Sequence, residues 1–177
     1  TVQDSEYFAS AFNAIQQLIS EGLILAGHDI SAGGMITALL EMNFANTEGG
    51  LEVKLDKLPE KDLIKILFSE NPGVLIQVKD RKAVEKILEE AGVGYAVVGH
   101  PCSERHILVS KDGAEYLFGI DHLRDVWFSS SYLLDRKQSG EAQAKARFLN
   151  YKEQPLHYHF GKSFTGKMEQ YGISADR

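Results

Sequence analysis

The sequence predicts an α/β (α+β) fold: a layered domain in which helices cover a mixed sheet, followed by a polar carboxy-terminal tail. Three observations predict it. Helix-like and strand-like apolar patterns alternate from residue 5 to residue 136. Lys111-Asp112-Gly113, between two β-rich runs, is a hairpin signal near the end of that stretch. The composition then changes after Lys137, where apolar anchors become sparse. These place a domain at residues 1–137 and a linker or tail at 138–177.

The elements follow in order. Asp4 or Ser5 caps a first helix, with Phe8, Phe12, Ile15, Leu18 and Ile19 on one face and Gly22 as its stop. Leu23 to Ala26 is a short apolar run, expected as a buried strand ending at His28-Asp29. Ser31 to Gly34 makes a tight turn, and a second helix buries Met35, Leu39, Leu40 and Phe44. Leu51 to Leu55 alternates strictly and reads as a half-exposed strand. Pro59-Glu60 opens a helix through Leu63, Ile64 and Leu67. A strand over Gly73–Val78 precedes an amphipathic helix over Asp80–Ala91, with Val84, Ile87 and Leu88 inside. Tyr95–Gly99 is expected as a strand, then the hairpin strands Arg105–Ser110 and Glu115–Ile120. His122–Arg136 is helical and carries Trp127, Phe128 and Tyr132 as core or an interdomain patch. Residues 138–150 suit a polar helix, and 151–177 show scattered aromatics with little periodicity.

Composition limits the function. The 177 residues, 44% hydrophobic and 25% charged, have an ordinary globular balance. A net charge of −6 argues against nucleic acid as a partner, since phosphate neutralisation needs a basic face. It leaves room for a small phosphorylated ligand held by a few backbone amides. Cys102 is the single cysteine, so no internal disulfide forms and a reducing, cytoplasmic setting is expected. No apolar run approaches the ~20 residues of a membrane span, and no signal peptide is visible. The chain opens at Thr1 on a helix without an initiator Met, which fits an excised segment or a processed chain.

The chemistry concentrates at His28-Asp29-Ile30-Ser31-Ala32-Gly33-Gly34. A strand delivers His28 and Asp29 to its carboxy end. Gly33 and Gly34 lack Cβ, so backbone can approach closely there. The amides that open the following helix can accept phosphate oxygens. Asp29 can give Mg²⁺ a hard oxygen ligand, and Ser31 can bond a phosphate or cap the helix. On the residues alone, an anion or nucleotide site and a plain tight turn stand side by side.

That string, followed by Ala38-Leu39-Leu40-Glu41-Met42 and Phe44-Ala45, resembles the His-Asp-x-Ser-x-Gly-Gly segment of the aminoimidazole ribonucleotide (AIR) synthetase-related superfamily. Within it, the chain is most similar to the last such domain of the phosphoribosylformylglycinamidine synthase family, large type. Leu67 to Val78 is a second block in the same order, and Leu123-Arg124-Asp125-Val126-Trp127 with Ser131-Tyr132 is a third. The tail looks like the bridge into that family's glutaminase domain. The similarity spans most of the chain, and three ordered blocks are more specific than any one.

The resemblance implies an AIR synthase C-terminal-domain-like fold and a role in an ATP- and glutamine-dependent carbon–nitrogen ligase of purine biosynthesis. That family converts formylglycinamide ribonucleotide to formylglycinamidine ribonucleotide. It also implies ATP/ADP and Mg²⁺ as cofactors, with Asp29 as the Mg²⁺ ligand and Ser31, Gly33 and Gly34 contacting nucleotide. The partners implied are upstream ATP-cone domains and a downstream glutaminase of the same polypeptide, and a small phosphoribosyl substrate. The glycine-rich loop and the other carboxylate ligands belong to upstream domains, so this segment would form one wall of a site and be inactive alone. Whether that site is catalytic or structural is left open.

Other residues carry two readings. His28 is a candidate catalytic base or charge stabiliser, or a hydrogen-bonded strand-end residue. Glu70, between a helix and a strand, faces a substrate cleft or serves the turn. Glu41 suggests a salt bridge at the edge of the second helix. His157 and His159 share a face of an extended segment as a weak metal pair. Cys102, in Gly99-His100-Pro101-Cys102-Ser103, does not match a glutaminase nucleophile elbow. Alternative readings are other members of the superfamily (AIR synthetase, selenophosphate synthetase, thiamine-phosphate kinase), or a non-catalytic interaction module.

Overall fold

A computed structural model describes residues 4–153, 161, 163–167 and 172. Six helices, six strands and a 3-10 turn follow one another in it. They are α1 (Ser5–Ser20), β1 (Ile24–Ile30), α2 (Gly34–Phe44), β2 (Gly50–Lys54), α3 (Leu63–Phe68), β3 (Gly73–Val78) and α4 (Arg81–Glu90). β4 (Gly99–Cys102), β5 (His106–Lys111), β6 (Ala114–Gly119), α5 (Ile120–Ser139), α6 (Glu141–Leu149) and the 3-10 turn (Asn150–Glu153) complete the order. The class is the expected one, a mixed α/β domain. The strands, however, form two sheets among the described residues. β1 and β3 make an antiparallel ribbon, and β4-β2-β5-β6 make a mixed sheet in which β2 and β5 run parallel.

Two apolar clusters hold these layers. In the larger one, Met35, Ile36 and Leu39 of α2 and Leu67 of α3 pack on Val53, Ile107 and Val109 of the four-stranded sheet and on Leu55 just past β2, with Ile120 at the start of α5. In the smaller one, Ala14 and Leu18 of α1 meet Val84 and Leu88 of α4, with Ile24, Ile76 and Val78 of the ribbon beside them. The ribbon therefore serves both clusters: Ile24 and Val78 at one end face the smaller, Ile30 and Leu75 at the other face the larger.

Four local expectations change. β1 runs on through His28, Asp29 and Ile30, and its burial alternates along the whole strand. It pairs with a single neighbour and is covered on one face, so Leu25 and Asp29 point outward. In α1, Asp4 caps Tyr7 N–H and Leu18 is buried with Ile15 beside it as expected, but Ala14 completes the buried stripe, while Phe8, Phe12 and Ile19 are exposed. Ala14 allows close approach to α4, and the bulkier stripe is left outside. α3 starts at Leu63 rather than at Pro59. The Glu60 carboxylate takes the amides of Lys61 and Asp62 in a turn, and the Asp62 side chain then caps Ile64 and Lys65. Ile64 ends up outside while Leu67 is buried. The strand expected at Tyr95–Gly99 forms instead at Gly99–Cys102, with the chain before it tied by Lys54 N–H donating to Val98 O at 2.6 Å.

The hairpin is where the turn residues place it. Asp112 and Gly113 both have positive φ, +51° and +82°, the pairing a two-residue hairpin requires. The carboxy-terminal segment begins with α6 docked on α5. Ala144 is buried, the Tyr132 and Phe148 rings lie 5.1 Å apart, and Arg147 bonds the Asp135 carboxylate. Arg124, itself buried, stacks over Phe128 and Phe148 and donates to the Phe148 carbonyl. Trp127 and Phe128 pack on Phe44 of α2, although Trp127 is about half exposed. His157 and His159 lie outside the described residues.

Candidate functional site

The site grows from the end of β1. Register with β3 (His28 opposite Leu75, Asp29 opposite Val74) puts His28 on the covered face and Asp29 on the open one. The Asp29 side chain is 74% exposed. The His28 ring is held on both nitrogens. Nδ1 lies 2.7 Å from the Asp29 carbonyl oxygen, and Nε2 lies 3.1 Å from Oε2 of Glu41. A carbonyl only accepts, so Nδ1 is the donor in the first contact. The Asp29 carboxylate is 3.7 Å from the same Nδ1.

Past Ile30 the chain turns at once. Gly34 N–H donates to Ser31 O at 3.0 Å, and Gly33, with φ +82° and ψ −2°, occupies the third place of that turn. Gly34 also has positive φ, and α2 begins there. A Cβ on Gly34 would sit 2.6 Å from Leu67 O and 2.7 Å from Phe68 Cα. The turn is thus pressed against the backbone of α3, so the close approach that glycine permits is made to the chain itself. Thr37 Oγ1 donates to Gly33 O at 3.1 Å. Gly33 N–H donates to Oε1 of Glu70 at 2.9 Å, across 37 positions of sequence. Ser31 is exposed beside Asp29.

The fold therefore brings His28, Asp29, Ser31, Gly33, Gly34 and Glu70 to one end of the ribbon. It adds Glu41, which comes from α2 to meet the His28 ring. A spacing signal for Glu41 was present: seven residues from Gly34, it lies two turns along the same face of α2. Cys102 is apart from this group, in β4, with Sγ 3.7 Å from Glu104 O. Glu52 and His100 form a separate cross-strand pair at 3.6 Å. An open depression lined by Leu23, Leu25, Lys79, Arg81, Lys82 and Glu85 lies at the opposite end of the ribbon, away from these groups. Among the described residues no three His, Cys, Asp or Glu side chains converge as a metal-ion cluster. No described helix is long and apolar enough to cross a membrane.

Comparison with known proteins gives four findings. The family model described as "AIR synthase related protein, C-terminal domain" matches residues 2–110. Phosphoribosylformylglycinamidine synthase of Homo sapiens is 34% identical over 165 residues, covering 90% of this chain and 12% of that protein. The major tegument protein of Epstein-Barr virus (strain AG876) is 34% identical over 116 residues, covering 63% of this chain and 8% of that protein. Among solved structures, that of T. maritima PurL complexed with ATP superposes with a TM-score of 0.60 at 23% identity, over 70% of this chain and 23% of that one. At that identity the likeness concerns the fold.

Proposed function

The chain belongs to the AIR synthase related protein, C-terminal domain family, and on that premise we propose that it supplies one wall of a magnesium–nucleotide site in a phosphoribosylformylglycinamidine synthase. The whole protein would join ammonia, released from glutamine, to formylglycinamide ribonucleotide at the expense of ATP. The observation that carries the reading is Asp29: an exposed carboxylate at a strand end, beside exposed Ser31 and at the lip of the Gly33-Gly34 turn.

Mg²⁺, when bound, neutralises phosphate charge and orients the group transferred. Asp29 would give it one oxygen ligand, and Ser31 a hydroxyl toward a phosphate. The Asp29 carboxylate fits that role, being hard, exposed and next to a rigid turn. The ligand set is incomplete within the described residues, so other parts of the protein would complete it. The chain spans 12% of the human relative's length, which leaves room for them. His28, its ring fixed by Glu41 and the Asp29 carbonyl, is a candidate acid–base or charge-stabilising group behind Asp29. The partners on this reading are upstream ATP-cone domains and a downstream glutaminase in the same cytoplasmic polypeptide, with residues beyond 137 leading toward the latter and α6 folded back on α5.

Calorimetric titration of Mg-ADP onto the whole protein and onto its Asp29→Ala form tests the reading. The variant should bind more weakly at limiting Mg²⁺, and equal affinity would remove Asp29 from the site. The chain by itself should release no ADP with formylglycinamide ribonucleotide and ammonium; turnover on the scale of a whole synthase would contradict the one-wall assignment.

A second reading is a non-catalytic interaction module. Two observations favour it: the similarity to a viral tegument protein, and the exposed Tyr7, Phe8 and Phe12 on α1. Saturable Mg-ADP binding dependent on Asp29 would count against it.

A further inference from the structure

We infer that Glu70 is an anion built into this fold to occupy the Gly33-Gly34 turn, so that phosphate reaches the site through a metal ion and not through the turn's amides. A helix N-terminus ordinarily offers free N–H groups to an anion. α2 has no side-chain cap of its own, because its N-cap is Gly33. The two glycine amides that open it are nevertheless engaged: Gly33 N–H donates to the Glu70 carboxylate at 2.9 Å and Gly34 N–H to the Ser31 carbonyl at 3.0 Å.

The arrangement is held from both sides. Gly34 abuts the backbone of Leu67 and Phe68, which fixes the turn against the end of α3. Ser69 follows directly as that helix's C-cap, its N–H donating to Lys65 O at 3.1 Å, so the chain arrives at Glu70 from a defined position. Glu70 thus stands where a phosphate oxygen would stand. Its charge adds to that of Asp29 at the same end of the ribbon. Two carboxylates repel a bare polyphosphate and attract a divalent cation. Glu70 is accordingly a positioning and specificity residue: it orders the turn and makes nucleotide contact metal-dependent. The nucleotide half of this inference rests on the function proposed above; the occupancy of the turn does not.

The test follows the Gly33 amide by NMR in the isotope-labelled chain, titrated with inorganic phosphate in metal-free buffer. In the unsubstituted chain this amide should not respond saturably. In Glu70→Ala it should, with phosphate affinity raised roughly tenfold or more, the scale of one charge-assisted hydrogen bond. Glu70→Gln keeps an oxygen acceptor and should stay near the unsubstituted chain. Glu70→Ser, also too short to reach, substitutes for Glu70→Ala if the latter loses its folded spectrum. A saturable response in the unsubstituted chain, or none in folded Glu70→Ala or Glu70→Ser, overturns the inference. A second arm compares ADP with Mg-ADP on the whole protein. The preference for the metal complex should shrink in Glu70→Ala, and an unchanged preference also counts against the inference. If the whole protein binds no Mg-ADP, the nucleotide reading fails and the phosphate arm still decides the role of Glu70.

Discussion

The imidazole of His28 and the carboxylate of Glu41 meet at 3.1 Å, joining the end of β1 to the middle of α2. Both side chains are largely covered, at 29% and 24% exposure. Glu41→Ala should therefore cost about 1 kcal/mol of stability, the usual scale of a hydrogen bond or a partly covered ion pair. Urea unfolding measures it. A midpoint unchanged from the unsubstituted chain would mean that Glu41 does not hold the ring in solution.

Gly34 and Gly113 separate two costs of adding a methyl group. Both have positive φ, but a Cβ on Gly113 meets nothing within 4 Å, whereas one on Gly34 runs into the α3 backbone. Gly113→Ala should cost about 1 kcal/mol from backbone conformation alone. Gly34→Ala adds overpacking and should cost roughly 2–4 kcal/mol. Thermal melts of the two variants give the comparison, and equal losses would contradict the close approach of turn to helix.

The orientation of α1 is tested by a pair of truncations. Leu18 is fully buried and Phe12 is 56% exposed. Leu18→Ala should lose about 2–5 kcal/mol, as buried leucines do. Phe12→Ala should change stability by about 0.5 kcal/mol or less. A larger loss at Phe12 would show that its face of the helix is covered in solution.

Acid should loosen α6. The Arg147 guanidinium and the Ser139 hydroxyl, both bonded to the Asp135 carboxylate, hold its pKa below the ordinary aspartate value. A lowered folded pKa stabilises the docked helix at pH values above the unfolded value of about 3.9. That contribution is lost as pH falls through the folded pKa. Hydrogen exchange of α6 amides should accelerate across that acid range relative to the α2 amides. In Asp135→Asn the extra acceleration should vanish; if it persists, another carboxylate is responsible.

Local chemistry written into single segments was legible in the sequence. Asp112-Gly113 encodes its own turn, and Val84 and Leu88 mark the face that α4 buries. The strand, double-glycine turn and apolar helix that carry the candidate site were legible too, because they follow in one stretch. Choices made by tertiary packing were not. The apolar face of α1 is wide, and periodicity cannot tell which part of it meets α4; the part with the small Ala14, Ile15 and Leu18 does. The contact of Glu70 with Gly33 joins residues 37 positions apart, and no local pattern encodes it; for Glu41 the sequence suggested a salt bridge but not His28 as its partner. The half-exposed character of β1 was hidden because Leu23 to Ala26 reads as a buried run, while a ribbon covered on one face alternates covered and open positions.

The β1–β3 ribbon, shared by both apolar clusters, also governs the order of folding. Its strands are separated in the chain by α2, β2 and α3, so closing it is a non-local event with a large loop-closure cost. α1 and α4 lie on either side of that loop and come together only as it closes. The hairpin β5–β6 needs no such closure and can form early. The amino-terminal helix should consequently be among the last elements to reach its place, with ribbon closure rather than the hairpin setting the refolding rate.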